Sequence, residues 1–211
     1  MGAENPQMYK TLGLANLDYG DFTPINILAR GIPIFVANND APYNNMKEFV
    51  EYAKANPGMV KTGSTGPGGL TSIVLAMLDS QVKLDLTNIP YDGDGPALTA
   101  LQSGALDVMP AVLGAAIEHV KAGRMKVIGL VDVKANDLLP GVAPITEDFP
   151  GFSAYLPWGP FFGVFVKNGT PQEAVDKLVS AYHTEAQHPD FIDLRSAERR
   201  VGRHCRSRRF S

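Results

Sequence analysis

The chain has 211 residues, of which 45% are hydrophobic, and its 19 basic and 22 acidic side chains leave a net charge of −3. That composition is ordinary for a globular protein, and the length admits one large domain or two small lobes. No stretch approaches the roughly 18 uncharged apolar residues of a membrane-spanning helix, the start carries no charged segment followed by an apolar signal core, and the single cysteine, Cys205, excludes an internal disulfide or a multi-thiolate zinc site.

The charge is unevenly spread. Residues 1–192 carry twelve basic and twenty acidic side chains, a net of −8, whereas residues 193–211 carry seven arginines and two acids, a net of +5. An acidic body argues against a nucleic-acid-binding domain, which would present a basic face.

No internal repeat has a fixed period. Ile32–Ala37 is a short apolar run ended by Asn38-Asn39-Asp40 and predicts a strand and turn. Asn44-Asn45 can cap a helix in which Met46, Phe49, Val50 and Ala53 fall on one face, stopped by Asn56-Pro57-Gly58. Met59–Thr62 predicts a strand feeding a glycine loop, Gly63–Gly69, and an apolar helix from Leu70 to Leu78. Leu84–Ile89 alternates as a strand and gives way to Pro90–Pro96, then a helix through Ala97, Leu98, Leu101 and Gln102. Ala105–Ala111 predicts a strand, Leu113–Lys121 a helix closed by Gly123, and Met125–Val131 a strand. This alternation implies a parallel or mixed α/β sheet.

Asp132–Leu156 reads mainly as loop with a short helix near Pro144–Glu147. Trp158–Val166 is the longest apolar run, too short for a membrane, and predicts a buried strand. Thr170, Pro171 and Glu173 have the spacing of a capping box, opening a helix with the apolar stripe Val175, Leu178, Val179 and Tyr182.

The glycine loops are the chemistry-bearing features. Gly63–Gly69 ends Gly68-Gly69-Leu70 rather than Gly-Lys-Ser/Thr, and Thr71 stands where a dinucleotide fingerprint needs its third glycine, so nucleotide binding is disfavoured. What remains is a helix N-terminus whose free N–H groups and positive dipole end suit an anion such as a carboxylate. Pro90–Pro96 opens a second helix, and two such turns on one sheet edge would converge on one crevice. Tyr91 could add a hydroxyl there, and Asp92 and Asp94 fail the spacing of a calcium loop. His183 and His188 lie five apart, about 140° around a helix, and cannot share a metal as an i, i+4 pair does. His119 suits a helix C-terminus better than catalysis. No nucleophile elbow is present, leaving an α/β enzyme acting on a small anionic substrate as the second reading.

Segment order carries a resemblance. Asp21-Phe22-Thr23-Pro24-Ile25, Phe49–Gly58, Gly63-Ser64-Thr65-Gly66, Ile89–Gly93, Pro96-Ala97-Leu98, Gly104–Met109, Lys121-Ala122-Gly123, Trp158-Gly159 and Gly169-Thr170-Pro171 follow a known pattern over roughly residues 15–190. They resemble the extracytoplasmic receptors of tripartite tricarboxylate transporters, the TctC or Bug family. The resemblance implies an α/β, type II periplasmic binding fold: two lobes joined by two crossing strands, near Ile34–Asn38 and Trp158–Val164. It places residues 1–36 and 158–192 in a partial first lobe and 37–157 in the second. It further implies a periplasmic, non-catalytic monomer without cofactor or metal, holding a small di- or tricarboxylate in the interlobe cleft for the membrane components of such a transporter.

The candidate ligand-binding residues are Gly63, Ser64, Thr65, Gly66, Gly68, Tyr91, Asp92, Gly93, Gly95, Pro110 and Trp158. Against the family pattern the chain begins late in the first lobe, so an incomplete lobe with open edges, an exposed apolar face and marginal stability is expected. Residues 193–211 do not fit the pattern and read as a disordered, non-family tail.

Overall fold

The computed structural model describes residues 10–189. The expectations for the Arg-rich tail at 193–211 therefore lie outside the described residues. The chain divides into two compact units, one comprising residues 1–31 and 160–211 and the other residues 32–159.

The larger unit is built on a five-stranded sheet. Its strands are β2 (Pro33–Ala37), β3 (Lys61–Ser64), β4 (Thr87–Pro90), β5 (Val108–Val112) and β6 (Lys126–Leu130), in the order β4-β3-β5-β2-β6. β3 pairs in parallel with β4 and β5, while β2 runs antiparallel to both β5 and β6, so the sheet is mixed. Every residue of β2 is buried, as a central strand covered on both faces requires. Asp107 ties three strands together: its N–H donates to the Lys61 carbonyl at 2.9 Å, its carboxylate accepts from the Lys61 N–H at 2.7 Å, and its carbonyl accepts from the Asn38 N–H at 3.0 Å.

Helices α1 (Met46–Ala55), α2 (Leu70–Val82), α3 (Asp94–Gln102) and α4 (Leu113–Lys121) follow successive strands, and a one-turn helix α5 (Ile145–Asp148) precedes a 3-10 turn at Pro150–Ala154. In α1 the buried residues are Met46, Phe49, Val50 and Ala53, the face the periodicity predicted. The Asn45 side chain caps it by accepting from the Glu48 N–H at 2.8 Å, and the Glu48 carboxylate accepts from the Asn44 N–H at 2.7 Å. Phe35, Phe49, Val50, Val74, Leu78, Ile128 and Phe152 form the centre of the core.

The smaller unit contains β1 (Phe22–Arg30) and β7 (Phe161–Lys167), paired antiparallel with two register shifts, and α6 (Gln172–Glu185). A 3-10 turn at Tyr19–Asp21 is capped by the Asp18 carboxylate, which accepts from the Gly20 N–H at 2.7 Å.

Several sequence expectations need correction. β3 and β4 begin two or three residues later than their apolar patterns suggest. β7 starts at Phe161 and is not a buried strand: only Gly163 is buried, and Phe162 is 43% exposed, because among the described residues its one sheet partner is β1. The apolar stripe of α6 likewise contains no buried residue. Thr170 does not cap that helix; its hydroxyl donates to the Lys167 carbonyl at 2.7 Å, which closes the preceding turn and leaves Pro171 at the N-cap. Ile34–Val36 pair within the larger unit's sheet, and the two units divide at Gly31/Ile32 and Gly159/Pro160.

Candidate functional site

Parallel pairing of β3 with β4 puts the carboxyl ends of both strands on one edge of the larger unit's sheet. The turns after them are joined directly, the Tyr91 N–H donating to the Ser64 carbonyl at 2.8 Å. Around this junction lies a recess of about 490 Å³ lined by Gly66, Pro90, Tyr91, Asp92 and Pro96.

The first turn is organised by its own hydroxyls. Thr71, fully buried in the first turn of α2, accepts from the Thr65 N–H at 2.7 Å, and its hydroxyl lies 3.0 Å from the Thr65 hydroxyl. The Ser72 hydroxyl donates to the Gly66 carbonyl at 2.7 Å. These bonds fold the glycine loop back on the start of its helix. Gly69 is the N-cap and no side chain caps α2, so the first-turn N–H groups remain open to an acceptor.

The second turn has the same character. Gly93 is the N-cap of α3 at φ +104°, a conformation that side-chain-bearing residues rarely adopt, and again no side chain caps the helix. Pro96 sits in the first turn, where its missing N–H costs nothing. Burial pushes the Asp94 carboxyl above its ordinary value.

Of the residues singled out from the sequence, Gly66, Tyr91 and Asp92 line the recess. Ser64, Thr65, Gly68 and Gly93 build the two turns without lining it, and Gly95 is exposed in the first turn of α3. Gly63 has a packing role. A Cβ there would lie 2.6 Å from Leu106 Cδ1, so only glycine lets the segment after α3 lie this close to β3. Pro110 is not brought to the recess; it is buried within β5 opposite Phe35. Trp158 is half-buried against the hydrophobic core of the larger unit.

Pro90 and Pro96 were missed as lining residues, and Thr71 was missed as the organiser of the first turn. A hydroxyl residue in the first turn of a helix, behind a glycine loop, is the signal that could have found Thr71. His119 faces Gln102, with Nδ1 at 2.5 Å from its amide nitrogen, and His183 pairs with Gln187 at 2.9 Å. Among the described residues no cluster of histidine, cysteine, aspartate or glutamate could hold a metal, and no helix is long and apolar enough to cross a membrane.

Comparison with known proteins gives this geometry its context. The family model described as tripartite tricarboxylate transporter family receptor (TctC) matches residues 1–199. A UPF0065 protein of Bordetella pertussis is 29% identical over 189 residues, covering 90% of this chain and 57% of that protein's length, so the chain spans little more than half of its curated relative. The structure of MatC from Rhodopseudomonas palustris with bound malate is 27% identical with a TM-score of 0.75, covering 89% of this chain and 63% of that one. The periplasmic binding protein BugD is 28% identical with a TM-score of 0.71, covering 82% of this chain and 57% of that one. The fold is thus that of the periplasmic binding proteins, and the chain belongs to the tripartite tricarboxylate transporter receptor (TctC) family of solute-binding proteins.

Proposed function

We propose that this chain serves as a periplasmic receptor that captures a small carboxylate on the turns after β3 and β4 and delivers it to a tripartite tricarboxylate-type membrane transporter. The observation carrying this reading is that the glycine loop leading into α2 and the first turn of α3, two helices without side-chain caps, border one recess. Backbone N–H groups at a helix start, aided by the positive dipole end, receive an anion without requiring arginine. Residues 1–192 contain only two arginines, Arg30 and Arg124, and neither lines the recess.

The magnitudes are adequate. Each hydrogen bond to a charged group contributes about 1.5–3 kcal/mol, and micromolar binding needs about 8 kcal/mol, so four or five aimed donors suffice before ordering costs. No catalytic step is assigned, and the receptor acts as a monomer without cofactor. Bound malate in MatC supports a carboxylate as the ligand class, because that protein shares the fold at 27% identity.

The test is calorimetric titration of the full chain with succinate, malate, citrate, glutamate and an aromatic dicarboxylate, with ATP and duplex DNA as controls. Saturable heat from a carboxylate alone is the expected result. A folded sample silent to all of them, or one that binds ATP or DNA instead, overturns the reading.

A further inference from the structure

Asn168-Gly169 is the one place among 211 residues where glycine follows asparagine. The pair occupies the turn between β7 and α6. There the Thr170 N–H donates to the Lys167 carbonyl at 3.2 Å, and Gly169 stands at φ +84°, in the left-handed region that glycine adopts at no steric cost. Both residues are exposed. The Gly169 N–H has no hydrogen-bond partner among the described residues, and a Cβ on Gly169 would meet nothing within 4 Å. Its amide nitrogen is therefore uncommitted and unshielded by a side chain.

Asn168, in contrast, is held by three bonds to one neighbouring segment. Its backbone N–H donates to the Asp21 carbonyl at 2.9 Å, its side-chain amide donates to the Gly20 carbonyl, and its side-chain oxygen accepts from the Thr23 hydroxyl at 2.9 Å. The last two engage both ends of the side-chain amide and tie it to the residues around the Tyr19–Asp21 turn. The amide carbon is free to meet the next residue's nitrogen only when those bonds open.

We propose that Asn168 is a site of spontaneous deamidation, gated by its bonds to Gly20 and Thr23, and that the product unties the β7–α6 turn from the Tyr19–Asp21 turn. The Gly169 nitrogen gives its proton to solvent base and attacks Asn168 Cγ. The new N–Cγ bond closes a succinimide ring, and the Cγ–Nδ2 bond breaks as ammonia leaves with a proton from water. A second water opens the ring. Attack at Cγ gives aspartate, and attack at the backbone carbonyl gives isoaspartate, with a methylene added to the main chain. Each step is a substitution or hydrolysis in which nothing is oxidised or reduced. Either product carries an ionised carboxylate, which accepts hydrogen bonds and does not donate them, so the bond to the Gly20 carbonyl is lost. The new charge also joins a turn that already holds Asp18 and Asp21.

The test incubates the folded full chain at mildly alkaline pH and follows the peptide carrying residues 168 and 169 by mass spectrometry, for the gain of about 1 Da that replaces an amide by an acid. Asn168 is expected to react before any other asparagine. Thr23→Val keeps a β-branched residue in β1 and removes one of the two side-chain bonds, so it should speed the reaction about two- to tenfold. Circular dichroism checks that this variant is folded, and in urea the two proteins should react at one rate. Unfolded wild type should outpace folded wild type by at least the same factor, a comparison that needs no variant. Asn168→Asp, the aspartate product made directly, should lower the melting temperature. A folded chain in which Asn168 lags other asparagines, a rate unmoved by Thr23→Val, or equal rates in folded and unfolded wild type overturns the gated site. An Asn168→Asp variant as stable as wild type overturns the untying.

Discussion

Gly63→Ala probes how closely the sheet and the segment after α3 approach beneath the recess. The added Cβ would lie 2.6 Å from Leu106 Cδ1 and 3.7 Å from the Cβ atoms of Ala97 and Met109. Carbon atoms rest at about 3.5–4.0 Å, so the Leu106 contact is about 1 Å too short. Leu106 is fully buried, so the displaced side chain must push into neighbouring atoms rather than into solvent. Overpacking of this kind costs about 1–3 kcal/mol. Leu106→Ala alone creates a cavity and costs about 2–5 kcal/mol. Together, the alanine methyl occupies part of the space the leucine vacates, so the double variant should lose less than the sum of the singles, with a coupling of about 0.5–3 kcal/mol. Urea unfolding followed by fluorescence reads this directly, because Trp158 is the only tryptophan and packs on the larger unit's core. Additivity of the two substitutions within about 0.5 kcal/mol would refute the steric argument.

Tyr43 is 1% exposed and its hydroxyl has no hydrogen-bond partner among the described residues, while its ring contacts Phe49 at 5.2 Å. Tyr43→Phe keeps the ring packing and removes the unpaired group, so stability should rise by about 1–3 kcal/mol; a fall in the urea midpoint would contradict this. Asn45→Ala removes the α1 cap and should cost about 0.5–2 kcal/mol by the same assay, an unchanged midpoint being the adverse result. Thr71→Val strips the acceptor from the Thr65 N–H, so ligand affinity at the recess should weaken more than thermal stability does; equal affinity would show that the loop holds its shape without it. The raised carboxyl of Asp94 gives a pH signature with a definite sign. The folded chain keeps a proton there that the unfolded chain has already released, so the contribution is favourable below the ordinary carboxylate range and is lost as pH rises through the raised value. Asp94→Asn should therefore be more stable than wild type near pH 7 and equal to it near pH 3, and thermal melts showing the same difference at both would count against burial as the cause.

Patterns governed by one face of one element were readable from residue types. α1 is the plainest case: Met46, Phe49, Val50 and Ala53 are the buried set, with Asn45 at the cap. The strand–turn–helix order was readable too, because glycine and proline mark the turns. Burial of β7 was not, since apolarity does not say what covers a strand, and Phe161–Lys167 has a single sheet neighbour among the described residues. The Thr170 spacing was misleading for a related reason: a hydroxyl can donate backward as easily as it accepts forward, and Lys167 offered a carbonyl in reach. At the recess, Gly66, Tyr91 and Asp92 were picked out by turn chemistry, whereas Pro110 was chosen as a strand-end residue and lies in the middle of β5. Strand ends depend on where partners begin, which lies outside the strand's own sequence.

The place of β2 in the sheet has a consequence for how the chain is made. Ile34 pairs with Ala111 on one side and Leu130 on the other, so the central strand waits for neighbours synthesised about eighty and a hundred residues later. Until β5 and then β6 leave the ribosome, Ile34-Phe35-Val36 is an apolar segment with both hydrogen-bonding edges free. The nascent chain thus carries an apolar segment with both edges unpaired while about a hundred further residues are made, an interval in which chaperone engagement protects it.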